Sequence, residues 1–238
     1  MKYLAGCGYR LTNLTALIES SDLNSISSKK LVGLTFDDGY TSIYKNALNI
    51  IKQFNFSATA FIPADFIGKI NTWDHGRFGL RFRHMGKSEM LEWIDAGGEI
   101  GCHGGSHLHL KLASRKKRYL EIIDAGKKIQ DLLGIELNWF APPFGWYDRH
   151  VLELVRDAGY KGIAVTSGRK SVNCPPGLIV SHRHPVYLCD PLTLVKAKID
   201  RLSPLYHIED LRLRLIQSGN WGTAAVQALK EIGYNTRT

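Results

Sequence analysis

The chain has 238 residues, of which 44% are hydrophobic and 22% are charged, and this composition excludes an intrinsically disordered chain. Its length, without a break in composition, predicts a single domain with a sizeable core. The formal net charge of +9 indicates either binding of anionic partners or simply a basic surface in contact with solvent. Because the sequence contains no nucleic-acid-binding motif, we expect no nucleic acid partner.

Strand and helix patterns alternate along the first part of the chain. Residues 31–36 form an apolar run typical of a buried strand, and Thr41–Phe54 carries apolar residues at helical spacing. A second strand is predicted over residues 58–63, and a long connection over residues 65–87 follows it. Ser88 is predicted to cap the next helix, which two glycines close.

The alternation continues through the rest of the chain. Further strands are predicted over residues 99–102, 138–141, 162–166 and 178–182. Further helices are predicted over residues 114–133, 148–158, 191–201 and 223–232. This alternation predicts an α/β fold with a parallel sheet and right-handed crossovers, either closed into a barrel or open and doubly wound.

Reactive side chains follow three of the predicted strands. Asp37 and Asp38 follow the first strand, His103 and His107 follow the third, and the turn at residues 142–145 follows the fourth. The carboxyl ends of parallel strands meet at one rim, where α/β enzymes gather their catalytic groups. The sequence therefore predicts one site built from these three motifs.

The two histidines suggest a metal site. His103 and His107 have the four-residue spacing that allows two imidazoles to bind one ion from a turn or short helix. Asp38 would complete a three-ligand site with an open position for water, which is the arrangement of catalytic zinc. On spacing alone, two histidines that face solvent or bond within a loop are the more common case. Their coincidence with the paired aspartates favours the metal site.

The paired aspartates predict two different roles. Neighbouring side chains at the end of a strand point in different directions, so Asp37 is available for another task where Asp38 binds a metal. A divalent metal lowers the pKa of a water molecule, and a nearby carboxylate can accept the proton as the water attacks a carbonyl. The alternative for such a pair is a turn or a helix cap before Thr41.

The turn at residues 142–145 has one feature suited to an oxyanion. A carbonyl under attack develops negative charge, and the Phe144 backbone N–H could donate to it because the two prolines before it have no N–H. The alternative is an ordinary loop that leads into a helix.

These motifs are similar in order and spacing to those of the polysaccharide deacetylases, the NodB-homology domain of carbohydrate esterase family four. The matching stretches are LTFDDGY at residues 34–40, IGCHGGSH at residues 100–107 and FAPPFG at residues 140–145. The likeness runs from about residue 31 to residue 187. Taken together, motifs in this order are highly specific.

The resemblance implies a fold and a division of the chain. The family fold is a distorted (β/α)7 barrel, which we expect here as a single α/β domain. An N-terminal helical lead-in is predicted over residues 1–30. The NodB-like domain is predicted over residues 31–205, and a C-terminal helical extension over residues 206–238.

The resemblance also implies an activity. Family members remove N-acetyl groups, so we expect a metal-dependent hydrolase acting on an N-acetylglucosamine-containing polysaccharide or oligosaccharide. Asp37 would be the base, and Asp38, His103 and His107 would hold Zn²⁺, with Co²⁺ or another divalent ion as alternatives. The Phe144 amide would help to stabilise the oxyanion.

Two stretches depart from the common family pattern. Many members have an arginine where Ala141 stands, whereas a subgroup acting on exopolysaccharides has the form found here and an arginine in a later strand. This chain resembles that subgroup, and Arg183 is the matching residue, for which we predict a role in orienting Asp37. Leu108 and His109 replace the usual proline and acidic residue after the second histidine, so support of that ligand is expected to differ.

The family also uses a histidine as general acid. His182 and His184 alternate onto one face of a predicted strand, opposite Arg183, so either is a candidate for this role. Histidines at a polar strand end are the alternative. In the exopolysaccharide subgroup the acid can come from a Tyr-His segment before the first strand, and the residues before Leu31 do not contain one.

Two other functions stay open at this point. The chain could hydrolyse a small N-acyl compound, since chemistry at a metal does not fix the rest of the substrate, or it could be a catalytically silent glycan-binding domain. The connection that contains Trp73, Arg81 and Phe82 is rich in aromatic and cationic groups that suit an acidic glycan. An ordered loop that packs on the barrel is the alternative for this connection.

The cysteines and the start of the chain bear on its location. The four cysteines are far apart without CxxC spacing, which indicates neither a zinc ribbon nor a disulfide framework. Residues 1–10 lack the apolar stretch of a signal peptide, and no run is long enough to span a membrane. The sequence as written therefore predicts a cytoplasmic protein, whereas a missing N-terminal segment would place it in the cell envelope or outside the cell.

Overall fold

The computed structural model of the protein describes residues 1–21, 30–72, 81–166, 172–187, 189–199, 206–208 and 211–212. The helix predicted over residues 223–232 and Trp73 of the long connection lie outside the described residues. Among the residues that are described, no helix is long and apolar enough to cross a membrane.

Eight short strands build the sheet within the described residues, and the pairings between them are parallel. They are β1 (Arg10–Thr12), β2 (Leu31–Gly33), β3 (Thr35–Phe36), β4 (Thr59–Ile62), β5 (Glu99–Cys102), β6 (Trp139–Phe140), β7 (Gly162–Thr166) and β8 (Ile179–Arg183). Strands β3 to β8 follow one another in chain order in one sheet, and β1 pairs with β2.

Leu34 joins these two groups of strands. Its N–H donates to the Thr12 carbonyl at 2.9 Å, and its carbonyl accepts from the Thr59 N–H at 2.9 Å. β2 and β3 therefore act as one interrupted strand, which gives seven strand positions from β1 to β8. Within the described part of the chain β8 does not pair with β1, so the curled sheet forms an open, distorted barrel. The predicted α/β fold with a parallel sheet is confirmed.

The α-helices cover the outside of this sheet. They are α1 (Lys2–Gly6), α2 (Leu14–Ser21), α3 (Thr41–Phe54), α4 (Lys87–Asp95), α5 (Arg115–Tyr119), α6 (Ala125–Leu133), α7 (Arg149–Asp157) and α8 (Leu192–Ile199). Their apolar faces join the strands in one large core, to which Ile51, Trp93, Ile129 and Leu152 contribute buried side chains. The sheet and its helices thus hold the strand ends in fixed positions.

The beginnings of α4 and α7 show what determines a helix start. Asp148 caps α7 as predicted, since its carboxylate accepts the Val151 N–H at 2.9 Å. Ser88 is not the cap of α4, and that prediction is wrong. The helix begins two residues earlier, with Gly86 as its N-cap, because the Glu89 carboxylate accepts the Gly86 N–H at 2.8 Å.

Two further elements differ from the prediction. The single helix predicted over residues 114–133 is interrupted by the π-helix Leu120–Asp124, which lies between α5 and α6. Residues 1–30 contain β1 in addition to α1 and α2, because this three-residue strand is too short to show a periodic pattern. The domain boundaries themselves stay predictions.

A polar network fixes α2 at the amino-terminal end of the strands. The Thr15 hydroxyl donates to the Glu99 carboxylate and accepts from the Trp139 indole N–H at 2.9 Å. The Thr59 hydroxyl donates to the same carboxylate at 2.6 Å. Because Thr59, Glu99 and Trp139 each begin a strand, the network lies opposite the carboxyl ends where the site was predicted.

Candidate active site

Asp38, His103 and His107 come together at the carboxyl ends of β3 and β5. Asp38 Oδ1 lies 3.5 Å from His103 Nε2 and 3.1 Å from His107 Nε2, and the three ligand atoms lie within 4.8 Å of one another. Both imidazoles are buried, whereas the Asp38 side chain is 27% exposed and keeps the site open to solvent. The structure thus brings together the three residues that the sequence predicts as metal ligands.

The chemistry of this trio fits a divalent ion. His103 Nδ1 lies 2.7 Å from the Ala141 carbonyl, which can only accept, so Nδ1 carries a proton and Nε2 is the nitrogen that faces the carboxylate. A lone pair facing a carboxylate oxygen is favourable only when a cation or a proton lies between them. Asp38 Oδ1 is moreover a buried oxygen that faces the Nε2 atoms of both imidazoles.

Electrostatics favour the charged form of the oxygen ligand. Burial raises the pKa of Asp38, but the two imidazoles outweigh it and keep that pKa well below its usual range. An ionised carboxylate and two imidazole nitrogens are a ligand set that suits Zn²⁺ and related ions. The residues present therefore fit the metal that the sequence predicts.

A buried histidine supports Asp38 through its backbone. His84 is fully buried, and its Nδ1 lies 2.6 Å from the Asp38 carbonyl. Burial lowers the pKa of His84, so the neutral ring is favoured, with Nδ1–H donating to that carbonyl. The sequence gives no ligand spacing for His84, and the structure shows a core histidine that holds the backbone of a proposed metal ligand.

Three residues of the site adopt a left-handed backbone conformation. Asp38, His107 and Phe144 have φ angles of 66°, 59° and 60°, and the other such non-glycine residue in the described chain is Asn55 at the end of α3. This conformation costs roughly 1–2 kcal/mol per residue, and surrounding structure must impose it. It turns these three residues in directions that a regular strand or helix would not allow.

Asp37 follows β3 beside the trio and is bound by Arg183. Arg183 donates from Nη1 to Asp37 Oδ1 at 2.6 Å and from Nη2 to Oδ2 at 3.1 Å. Partial burial raises the pKa of Asp37, but the Arg183 guanidinium, together with His103, outweighs it and lowers that pKa below its usual value. The Asp37 side chain is 42% exposed, so water and a substrate can reach the carboxylate.

Arg183 is itself fixed by three other strands. Nη1 also donates to Thr35 Oγ1 at 2.9 Å, Nη2 donates to the Ala164 carbonyl at 3.3 Å, and the guanidinium lies 5.0 Å from the ring centre of Phe61. The arginine therefore extends from β8 across the interior of the sheet to β3. The contact with Asp37 is present in the structure, and its role in catalysis stays a prediction.

The two candidate general acids lie at the other face of β8. His182 is exposed, and alternation along the strand directs it away from the side that Arg183 faces. His184 lies just beyond the strand, with Nε2 3.1 Å from the Tyr206 hydroxyl. The assignment of either histidine as general acid stays a prediction.

Phe144 lies in the short 3₁₀ turn Pro143–Gly145 after β6. Its ring packs edge-on against His107 at 5.1 Å between centroids and stacks on the buried His109 at 5.2 Å. The Gly145 N–H donates to the carbonyl of the residue before the turn at 2.9 Å. The oxyanion role of the Phe144 amide stays a prediction. The sequence did not indicate that the Phe144 ring packs on His107, a proposed metal ligand.

Comparison with known proteins identifies the family. The sequence model of the polysaccharide deacetylase family matches residues 24–163. The chain belongs to this family. YxkH of Bacillus subtilis, whose name assigns it to the polysaccharide deacetylases, is 28% identical over 184 residues, which cover 77% of this chain and 61% of that protein.

A second relative carries a more specific name. The peptidoglycan-N-acetylglucosamine deacetylase of Bacillus cereus is 27% identical over 139 residues, which cover 58% of this chain and 57% of that protein. This polysaccharide deacetylase chain thus spans about three fifths of the length of the curated relatives it matches.

Solved structures share the fold. The Streptococcus pyogenes deacetylase PplD superimposes with a TM-score of 0.63 at 22% identity, covering 80% of each chain. The de-N-acetylase of Aggregatibacter actinomycetemcomitans superimposes with a TM-score of 0.65 at 17% identity, covering 82% of this chain and 85% of that chain. The distorted barrel predicted for the polysaccharide deacetylases is confirmed.

Proposed function

We propose that this polysaccharide deacetylase is a metal-dependent hydrolase that removes N-acetyl groups from an N-acetylglucosamine-containing polysaccharide. The observation that carries the proposal is the convergence of Asp38, His103 and His107 around one point, with Asp37 held beside them by Arg183. A divalent ion, for which Zn²⁺ best suits this ligand set, would make a water molecule more acidic and polarise the acetyl carbonyl.

Asp37 is the base in this proposal. Its pKa is low because of Arg183, so the carboxylate is ionised, and its exposure allows it to accept the proton of an attacking water molecule. The bidentate contact fixes the plane of the carboxylate and leaves the remaining lone pairs for that proton. Asp38 cannot share this task, because it faces the two imidazoles.

The reaction also needs a donor for the oxyanion and a proton for the departing amine. We assign the first role to the Phe144 backbone N–H, because Phe144 lies in the turn after β6 and its ring packs on the proposed metal ligand His107. For the second role the candidates are His182, which is exposed within β8, and His184, which lies beyond the end of that strand.

The proposed substrate class draws on the relatives. The Bacillus cereus relative is named for N-acetylglucosamine in peptidoglycan, and relatives from Listeria monocytogenes carry the same name. The net charge of +9 would in addition attract a polymer that carries anionic groups. A polymeric substrate with N-acetylglucosamine units is consistent with both observations.

The test is acetate release by metal-loaded protein from N-acetylglucosamine oligomers, chitin and peptidoglycan, with small N-acyl compounds in parallel. We expect release from the sugars that a chelator abolishes and Zn²⁺ or Co²⁺ restores. Asp37→Asn preserves the size of the side chain and should reduce release by about 10²-fold or more. Asp157→Asn, at an exposed ion pair at the end of α7, is the matched control and should retain release.

The outcomes separate the possible functions. Metal-independent release, or full release by Asp37→Asn, would contradict the mechanism. Release from small N-acyl compounds alone would replace the polysaccharide with a small substrate. Stoichiometric metal and glycan binding without any release would identify a binding domain and overturn the proposal.

A further inference from the structure

Glu121 is a buried carboxylate that binds the loop between His103 and His107. It accepts the Gly105 N–H at 2.8 Å, and its two oxygens lie 3.0 and 3.1 Å from the Ser106 nitrogen, which also donates to it. The Ser106 hydroxyl donates at 2.5 Å, and Glu121 is only 6% exposed. The Glu121 carboxylate therefore accepts hydrogen bonds from two consecutive backbone N–H groups and one hydroxyl group.

The other side of this loop is bound by backbone. The Gly104 carbonyl accepts the Ala64 N–H at 2.9 Å, and the Gly105 carbonyl accepts the Asp65 N–H at 3.0 Å. The carbonyls are thus held by the chain that follows β4, and the N–H groups by the side chain of Glu121. The N–H side is the part of the loop that a single side-chain substitution can release.

Gly104 allows the carboxylate to approach the loop closely. A Cβ added to Gly104 would lie 2.8 Å from Glu121 Oε2, which is nearer than side-chain atoms normally approach. The φ angle of Gly104 is +80°, a conformation that glycine adopts without strain. The missing Cβ of Gly104 leaves room for the Glu121 carboxylate, and its positive φ angle allows the backbone of the loop to turn at this point.

A local change in helix geometry directs Glu121 inward. It lies in the π-helix Leu120–Asp124, where Leu120 is 46% exposed while Glu121 and Ile122 are buried. A π turn adds one residue and rotates the side chains that follow, and such turns are frequent at functional sites. The carboxylate therefore points from a helix on the outside of the barrel toward the loop of the proposed metal site.

We propose that Glu121 is a positioning residue for the metal site: its carboxylate holds the backbone between His103 and His107 and thereby sets the direction of both imidazoles. The inference rests on the proposed function insofar as the trio must bind a metal. The carboxylate reaches this loop from another element of the fold and accepts the N–H groups of Gly105 and Ser106.

The test is the metal affinity of the full 238-residue chain, measured by isothermal titration with Zn²⁺ and Co²⁺, together with the visible spectrum of the Co²⁺ form. Glu121→Gln keeps the volume and one acceptor but turns an amide donor toward an N–H donor. We expect affinity to fall by about 10-fold or more, as for other residues that orient metal ligands. The Co²⁺ bands should shift because the imidazoles move.

Two further variants make the result decisive. Asp131→Asn removes an exposed carboxylate of α6 and should leave affinity and spectrum unchanged. Glu121 borders an open cavity of about 410 Å³ that Ser106 and Lys117 also line, so there is space beside the substituted group and the variants are expected to fold. If melting of the metal-free protein shows that Glu121→Gln is unfolded, Glu121→Asp is judged by the same criterion.

Each outcome supports or overturns the inference. A folded Glu121 variant with the affinity and Co²⁺ spectrum of the wild type would overturn it, as would a wild-type protein that binds no divalent ion. Metal binding that weakens without Glu121 supports it, whether or not acetate is released. Absence of acetate release in that case would remove the proposed activity and leave the positioning role in place.

Discussion

Arg183 and Asp37 form a bidentate ion pair across 146 positions of sequence, with nitrogen–oxygen distances of 2.6 and 3.1 Å. The guanidinium comes from β8, which lies at the opposite end of the six-stranded order from β3, the strand that Asp37 follows. One side chain therefore binds both oxygens of the proposed base and lowers its pKa.

Replacing Arg183 with methionine is expected to raise the pKa of Asp37. Burial raises this pKa, and the guanidinium is the main group that lowers it, so the variant keeps the effect of burial, the raising effect of Asp38 and the smaller lowering effect of His103. Asp37 must be ionised to accept a proton, and its depressed pKa lets the wild type remain active to lower pH. In Arg183→Met the acid limb of kcat/KM should move to higher pH by about one unit or more.

The measurement is the pH profile of kcat/KM for acetate release, with Arg149→Met as the control. Arg149 is an exposed arginine of α7 that pairs with Glu153 at 2.7 Å, so its removal should leave the acid limb in place. A profile of Arg183→Met that is lower but unshifted would show that the guanidinium does not set the ionisation of Asp37.

Much of the site could be predicted because its chemistry lies in short motifs at strand ends. β5 (Glu99–Cys102) and β7 (Gly162–Thr166) have the predicted limits, and His103 directly follows the first of them. A parallel sheet brings its carboxyl ends together, so the order of the motifs was enough to place Asp38 near the histidines. At the ends of these strands, the structure predicted from the local sequence pattern is the one that the whole fold adopts.

The remaining features depend on contacts that local sequence does not contain. Glu121 lies 16 positions from Gly105, within a helical pattern whose regular spacing conceals the π turn. The left-handed conformations of Asp38 and Phe144 oppose local preference, and packing around the site must offset their cost. Local sequence preferences therefore predict the helix or strand next to each of these residues. They do not predict the backbone angles that orient the side chains.

Gly104→Ala is expected to destabilise the protein more than Gly134→Ala, although both glycines have positive φ angles, of 80° and 70°. Each variant should lose about 1 kcal/mol through backbone strain. A Cβ at Gly134 meets nothing within 4 Å, whereas one at Gly104 approaches Glu121 Oε2 to 2.8 Å. Gly104→Ala should therefore lose a further ~1–3 kcal/mol through overpacking.

Urea unfolding of the metal-free proteins measures this difference, because it excludes any contribution from a bound ion. Metal titration should in addition show weaker binding by Gly104→Ala and unchanged binding by Gly134→Ala. Equal free energies of unfolding for the two variants would show that the Glu121 carboxylate moves aside without cost, and would weaken the case for a rigid loop.

Thr15→Val tests the network that anchors α2 below the barrel. Valine has the shape of threonine but lacks the hydroxyl that donates to Glu99 and accepts from the Trp139 indole N–H at 2.9 Å. Trp139 is 1% exposed, so its N–H would lose its partner without gaining water, and the free energy of unfolding should fall by about 1–3 kcal/mol. Thr15→Ser keeps the hydroxyl and should lose about 1 kcal/mol or less, for one methyl group.

The same pair of variants separates the stability of the fold from the properties of the site. Thr15 lies at the amino-terminal end of the strands, whereas Asp38 and the two histidines lie at their carboxyl ends. At a temperature where both variants are folded, metal affinity should therefore remain within about twofold of the wild type, since distant substitutions act independently. An unchanged urea midpoint in Thr15→Val would show that the network contributes little, and weaker metal binding by the folded variant would show that α2 and the site are coupled through the barrel.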